Sequence, residues 1–347
     1  MRTKRTITVV GCHAEGEIGD VVTGGILPPK GATMFERMQS MQRDHDDIRR
    51  FLLCEPRGHV GRHVNIITPP VRPECDAGVI IMEPTEYVPM SGSNLICTVT
   101  VLLETGILTM HEPQTVVMMD TPAGPVRATA LCHDGKCVSV EFENVPAFVD
   151  RLAAPLEVEG YGTIATDVAF GGMFYAMVDA TKLGFALVPD EARDLAILGE
   201  RVRHAARAQF DVVHPENPGI AGVSIVQLNS PYAGPGQPTR NTCIVAPGRS
   251  DRSPTGTGTC ARMAVLHARG EMQTGDTLIH ESLIGSRFEG TIRGHTTIAG
   301  RPAILPSLKG RAWITGLHTY LLDPDDPYPT GYLLADTWGV TGKATQD

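Results

Sequence analysis

Two segments of this chain carry one pattern at one register, and that repetition limits the fold more than any other feature. Met90-Ser91-Gly92-Ser93-Asn94 and Pro254-Thr255-Gly256-Thr257-Gly258 each follow an apolar run and a short loop. Each opens a compact, mostly apolar stretch that ends at a glycine, Gly106 or Gly270, fifteen positions after the hydroxyl residue in both cases. The offset is 164 residues, so Val101 falls on Val265 and Leu102 on Leu266. A duplicated strand–loop–helix unit with a hydroxyl residue just before each helix start accounts for the match. Two such units facing each other would place two proton-handling groups on opposite sides of one small substrate.

The rest of the chain supports a duplicated, strand-rich body. Its 347 residues exceed what one hydrophobic core usually organises, so two domains are expected. From Leu95 to Leu108 almost every residue is apolar or small, and a helix apolar all round must be buried. Amphipathic helices are expected over 33–54 and 190–210. Strands are expected at 6–10, 21–23, 64–69, 77–82, 115–119, 126–130 and 138–143 in the first half. In the second half they are expected at 175–178, 185–188, 223–228 and 241–245, with several short ones through Tyr320. A polar turn is expected from Cys12 to Asp20, and a weakly ordered tail after Thr337. Many strands with few helices predict an α+β fold rather than a doubly wound parallel sheet.

Charge and composition exclude several classes. The net charge is −9 with no long basic run, which argues against nucleic acid and anionic membrane as partners. No apolar stretch approaches the ~20 residues of a membrane span. Thr6 to Val10 alternates and stops at Gly11, which reads as a strand rather than a signal peptide, so the cytoplasm is the expected location. The eight cysteines form no C-x-x-C pair and read as reduced thiols, with Cys97 and Cys260 packed and inert inside the two helices. Gly256 to Ala261 superficially fits G-x-G-x-x-A, but no βαβ unit with a following acidic residue supports a dinucleotide site. No phosphate loop and no zinc spacing occurs, so neither cofactor nor metal is expected.

The matched motifs carry chemistry of their own. A buried helix leaves its first N–H groups unpaired and partly positive, and glycine beside them lets an anion approach. Ser91-Gly92-Ser93 and Thr255-Gly256-Thr257 both offer this arrangement. Removing a proton from the carbon next to a carboxylate builds negative charge on the carboxylate oxygens. Fixed N–H donors stabilise that charge most in the transition state. A plain N-cap is the competing reading of either motif alone; the matched pair favours a site.

At these residues the sequence resembles the proline racemase family. Asp251-Arg252-Ser253-Pro254-Thr255-Gly256-Thr257-Gly258-Thr259 matches that family's second motif, with Thr255 where the family has cysteine. Met90-Ser91-Gly92-Ser93 matches the first, with Ser91 for cysteine and Ser93 for histidine. Val21 to Gly25, Glu55 to His59 and Gly171 to Ala176 also look like the family. The resemblance implies a diaminopimelate epimerase-like fold of two pseudo-symmetric lobes, each a sheet wrapped around a central helix. The first lobe, 1–125 plus 322–347, would carry Ser91; the second, 126–321, would carry Thr255. It also implies that Gly92, Ser93, Gly256 and Thr257 bind the substrate carboxylate and that Asp251 holds the ring ammonium.

The departures from the family decide the expected activity. Its racemases and epimerases use two cysteines, and an alcohol is far harder to ionise than a thiol. Members with threonine at the second position resemble the trans-3-hydroxy-L-proline dehydratases, in which one base suffices. In trans-3-hydroxy-L-proline the hydroxyl and the Cα hydrogen share a ring face. Ser91 is therefore expected to take the proton and return it to the departing hydroxyl, with Thr255 a non-ionising partner. The expected activity is that of a cofactor-independent hydro-lyase yielding pyrroline-2-carboxylate. Two alternatives stand: a hydroxyproline 2-epimerase or proline racemase-like isomerase, and a catalytically dead amino-acid-binding protein. The expected partner is a small molecule, hydroxyproline, and a homodimer is allowed for.

Overall fold

The computed structural model describes residues 2–338. The chain divides into two units, one from the described residues of Met1–Glu141 and Arg311–Asp347, the other from Phe142–Gly310. In chain order the first unit supplies β1 (Arg5–Ala14), β2 (Glu17–Gly24), α1 (Met34–Asp44), α2 (Asp46–Leu53), β3 (Arg62–Thr68), β4 (Ala77–Met82), β5 (Tyr87–Val88), α3 (Gly92–Glu104), β6 (Gln114–Thr121) and β7 (Gly124–His133), and β8 (Lys136–Glu143) leads out of it. The second supplies β9 (Ala147–Val158), β10 (Gly162–Phe170), β11 (Phe174–Asp179), α4 (Ala192–Gln209), β12 (Val213–His214), β13 (Asn217–Ala221), β14 (Ile225–Asn229), β15 (Pro238–Val245), β16 (Arg249–Ser250), α5 (Gly256–Ala268), β17 (Thr277–Glu281), β18 (Arg287–Ile298) and β19 (Arg301–Gly310). The chain then returns to the first unit with β20 (Ala312–Leu322) and the short α6 (Ala335–Trp338).

Each unit follows one connection scheme. In the first, β20, β1 and β2 run antiparallel in that order, β2 pairs parallel with β3, β3 antiparallel with β4, β4 parallel with β6, and β6 antiparallel with β7. In the second, β9, β10 and β11 run antiparallel, β11 pairs parallel with β14, β14 antiparallel with β15, β15 parallel with β17, and β17, β18 and β19 antiparallel. Pairing of β19 with β9 closes the second sheet on itself, so it has no open edge there. The fold is mixed α+β, as the strand-rich pattern predicts.

α3 and α5 have thirteen residues each and start 164 positions apart, the offset of the sequence repeat. α3 packs on β1, β2, β3, β7 and β20, and α5 on β9, β10, β11, β17, β18 and β19. Strands on all sides explain why both helices lack a polar face: from Gly92 to Leu103 every residue of α3 is buried. Each fully buried Leu or Val there contributes about 1.5–3 kcal/mol. A second helical layer covers each sheet's other core. Met34, Met38, Phe51 and Leu52 pack with Ile7, Val9, Val64 and Ile80 in the first unit, and Leu195, Leu198 and Val202 of α4 with Phe174, Val226 and Ile244 in the second.

Three local expectations are corrected. The polar turn placed from Cys12 to Asp20 shrinks to Glu15 and Gly16. Cys12 and Ala14 continue the buried face of β1, and the two turn residues take the left-handed φ that a tight hairpin demands. The helix expected over 33–54 is two helices. His45 leaves helical geometry at φ −139°, Asp46 and Asp47 then favour a fresh N-terminus, and Thr33 caps the first helix by accepting the Glu36 N–H at 3.1 Å. Residues 185–188 form no strand, because the N–H groups of Ala186 and Leu187 are captured by the Glu191 carboxylate and Leu187 has φ +59°. Strands β9 and β10 were not anticipated, and after α5 the short β17 is followed by three long strands rather than by several short ones. Of the tail expected to be weakly ordered, Trp338 is buried, and 339–347 lie outside the described residues.

Candidate active site

Both hydroxyl residues occupy N-cap positions, yet neither side chain caps its helix. The first intrahelical bonds run from the Leu95 N–H to the Ser91 carbonyl and from the Thr259 N–H to the Thr255 carbonyl, each at 3.0 Å. Gly92 and Ser93 therefore lie in the opening turn of α3, and Gly256 and Thr257 in that of α5, where backbone donors have no partner within the helix.

At the first tip the backbone is extended through Ser91, and the side chain is 8% exposed. Its Oγ accepts a hydrogen bond from Asn94 Nδ2 at 2.9 Å. Asn94 is oriented by two neighbours on β3: its Oδ1 accepts from Asn65 Nδ2 at 2.9 Å, and its Nδ2 lies 3.1 Å from His63 Nδ1. With the Asn94 amide in this orientation His63 Nδ1 accepts, and the ring lies between two carboxylates, with Nε2 3.5 Å from Glu17 Oε1 and Nδ1 3.9 Å from Glu83 Oε1. β2 presses close enough to fix this arrangement. A Cβ on Gly19 would meet Asn94 Oδ1 at 2.8 Å and Cys97 Sγ at 3.0 Å. The result is a buried polar chain, Glu17–His63–Asn94–Ser91, under the tip of an otherwise apolar helix. It leaves the Ser91 hydroxyl hydrogen uncommitted to Asn94.

The second tip is built differently. Asp251 Oδ2 accepts the Thr255 hydroxyl at 2.6 Å, and Oδ1 accepts both the N–H and the hydroxyl of Ser253, at 2.8 and 3.0 Å. Ser253 Oγ in turn accepts the Thr255 N–H at 3.1 Å, and Asn241 of β15 pins the loop through the Pro254 carbonyl at 2.7 Å. Thr255 has φ +63° and ψ 116°, a conformation that costs a β-branched residue about 1–3 kcal/mol and that this bond network enforces. Deeper in, Thr257 Oγ1 is 2.6 Å from the Tyr175 hydroxyl. A Cβ on Gly171 would stand 2.2 Å from the Thr257 carbonyl, so the β10–β11 turn closes directly on the helix.

Beneath this tip lies a buried histidine. Thr259 Oγ1 donates to the Thr255 carbonyl at 2.8 Å and is 2.8 Å from His280 Nδ1, which must then be the donor. Burial, with Arg262 adding to it, pushes the His280 pKa down to about 3, so the ring is neutral at ordinary pH. The cysteines within the two helices are silent: burial raises Cys97 well above its ordinary value and pushes Cys260 up to about 12.

Ser91, Gly92 and Ser93 thus gather at one tip, and Asp251, Thr255, Gly256 and Thr257 at the other, each set within its own unit and buried. Asn94, His63, Asn65, Ser253 and Tyr175 were not singled out from sequence. Two signals were present. Asn94 is the one amide side chain in α3, three positions past the cap, and His63 and Asn65 share one face of a strand.

A mixed α+β fold with these two helix tips defines a class. The fold is shared with a Bacillus anthracis phenazine biosynthesis protein of the PhzF family (13% identity over 92% of this chain and all of that one, TM-score 0.56) and with a predicted epimerase from Pseudomonas aeruginosa (14% identity over 91% and 100%, TM-score 0.54). The family model described as proline racemase matches residues 9–333, and the chain belongs to that family. It is similar to a hydroxyproline epimerase from Agrobacterium vitis, solved with bound trans-4-hydroxy-L-proline, at 41% identity over the full length of both chains and a TM-score of 0.95. It is also similar to a probable proline racemase from Agrobacterium radiobacter K84, solved with bound carbonate, at 41% identity over 96% of this chain and 98% of that one, TM-score 0.92. Among the described residues no helix is long and apolar enough to cross a membrane.

Proposed function

We propose that this family member is a cytoplasmic, cofactor-independent hydro-lyase that dehydrates trans-3-hydroxy-L-proline to pyrroline-2-carboxylate. The observation that carries the reading is the unequal use of two hydroxyl hydrogens. Thr255 gives its hydrogen to Asp251, whereas Ser91 receives a hydrogen bond from Asn94 and keeps its own hydrogen available. Ser91 can then act as a relay on one ring face. Its Oγ takes the Cα proton as its own hydrogen passes to the departing 3-hydroxyl. The Cα–H electron pair becomes the Cα–Cβ double bond of an enamine, the carbon–oxygen bond breaks, and water leaves. The enamine tautomerises to the imine. The relay is cyclic and returns Ser91 unchanged, so no free alkoxide is needed, which removes the difficulty that an alcohol ionises poorly.

In this reading the backbone N–H groups of Gly92 and Ser93, and those of Gly256 and Thr257, receive the substrate carboxylate and stabilise the charge that builds on it. The Asp251 carboxylate, held in place by its bonds from Thr255 and Ser253, supplies the negative charge for the ring ammonium. Thr255 itself does not ionise.

A second reading has one observation in its favour: the similar Agrobacterium vitis protein is a hydroxyproline epimerase solved with bound trans-4-hydroxy-L-proline. A 4-hydroxyl is not adjacent to Cα, so its loss cannot follow from Cα proton removal, and inversion is the only outcome on that substrate. Incubation with each hydroxyproline isomer in heavy water separates the readings. We expect borohydride-reducible imine from trans-3-hydroxy-L-proline and no D-configured product from trans-4-hydroxy-L-proline. Accumulation of the deuterated D-epimer without imine would replace the lyase by the epimerase. Calorimetric binding with no turnover of any isomer would leave a binding protein.

A further inference from the structure

The second unit contains a cavity of about 390 Å³ that the chemistry above does not use. Its wall includes Asp167 of β10, Asp179 at the end of β11, Lys182, Asn229 of β14, and Arg262 and Arg269 on and just after α5. Thr255, Gly256 and Thr257 are not part of it. The volume lies toward the small end of the range for organic ligands, roughly 300–1,000 Å³.

The charges do not cancel. Asp167 accepts from Arg269 Nη2 at 2.7 Å and from the Ala153 N–H at 2.9 Å. Asp179 is occupied by the N–H and hydroxyl of Thr181, at 3.0 and 2.6 Å, with Lys182 at 4.0 Å. These hydrogen bonds all fall on Oδ1 of each carboxylate, and neither carboxylate forms an ion pair with Arg262 among the described residues. Arg262 is only 7% exposed, makes no hydrogen bond or ion pair among the described residues, and has a fully buried Nε with no acceptor. Burial lowers its pKa, and the charge of Asp167 only partly opposes that. A buried guanidinium without an acceptor is expensive, and an oxyanion seated against its planar fork removes the cost while matching its geometry.

The geometry points to a binding site for a small oxyanion, a carboxylate or a phosphate, held by the Arg262 guanidinium in this cavity, with Lys182 as a second cation at its rim. The site lies two helical turns along α5 from the substrate tip, so it is a second site and not part of the first.

Isothermal titration of the intact chain with sodium phosphate, and separately with sodium succinate, at low ionic strength tests this. Whichever salt binds names the ligand class. Saturable binding is expected in the wild type and in Thr255→Val, which alters only the far tip of the same helix. It should weaken at least tenfold in Arg262→Met, and the rise in Tm on adding the anion should vanish in that variant. Arg262→Lys keeps the charge but loses the fork and should weaken binding severalfold, so it decides the matter if the methionine variant does not fold. No saturable binding of either anion, or an unchanged Kd in Arg262→Met or Arg262→Lys, overturns the assignment.

Discussion

The two helix tips have the same length of helix, the same hydroxyl position and the same buried surroundings, yet they treat the hydroxyl in opposite ways. At Ser91 the oxygen is an acceptor, held by an amide that is itself fixed by two side chains of β3. At Thr255 the oxygen is a donor to a carboxylate three bonds deep in its own loop network, on a strained backbone. The repeat thus fixes where a hydroxyl group stands, and the polar residues around it fix which way its hydrogen points. A duplicated scaffold becomes chemically one-sided without any change in its helices.

The sharpest way to break this comparison is to remove the relay. Ser91→Ala should reduce kcat/KM for the dehydration by at least about 10³-fold, roughly 4 kcal/mol of transition-state stabilisation, with an unchanged far-ultraviolet circular dichroism spectrum. Full activity in that variant ends the one-sided reading. A finer contrast pairs the residues that orient each hydroxyl. Asn94→Ala frees Ser91 to rotate and should lower kcat by about 10²-fold with a smaller change in KM, the cost of lost orientation. Asp251→Asn should act chiefly on KM, by about tenfold, because in the proposed reading it weakens the hold on the ring ammonium by about 1.4 kcal/mol. Steady-state kinetics on both variants read the difference, and equal effects on kcat would mean that the two tips share the proton work.

The smallest effect concerns stability. The second unit keeps a neutral, fully buried imidazole at His280 under its helix. The folded pKa is about 3, below the ordinary 6.5, so the unfolded chain binds a proton that the folded chain refuses as pH falls. This contribution is complete above pH 6.5 and is lost progressively toward pH 3, at about 1.4 kcal/mol per unit. Urea unfolding between pH 6.5 and 5 should show this slope in the wild type and a flatter one in His280→Asn. Parallel slopes would remove His280 as the cause.

Much of this was legible in the chain. An apolar run with no polar face reads as a central helix because only enclosure by strands can bury it, and the 164-residue offset reads as duplication because both runs share their cap and their end. Element boundaries were less legible where a local bond overrides the pattern. Glu191 captures the N–H groups that residues 185–188 would have offered a ladder, and His45 splits a continuous amphipathic pattern. The cysteine-to-hydroxyl exchange at positions 91 and 255 was visible as well.

By itself, then, the sequence determined the repeat, the buried helices and the identity of the two hydroxyl residues, because periodicity and residue type are local and survive without coordinates. Tertiary structure decided the rest. His63 and Asn65 reach Asn94 only because β3 lies beside α3, and Arg262 lacks an acceptor because the fold directs Asp167 to Arg269 and Asp179 to Thr181 rather than to it. Hydrogen-bond direction and charge balance depend on which distant side chains share a buried space, and no spacing along the chain encodes that.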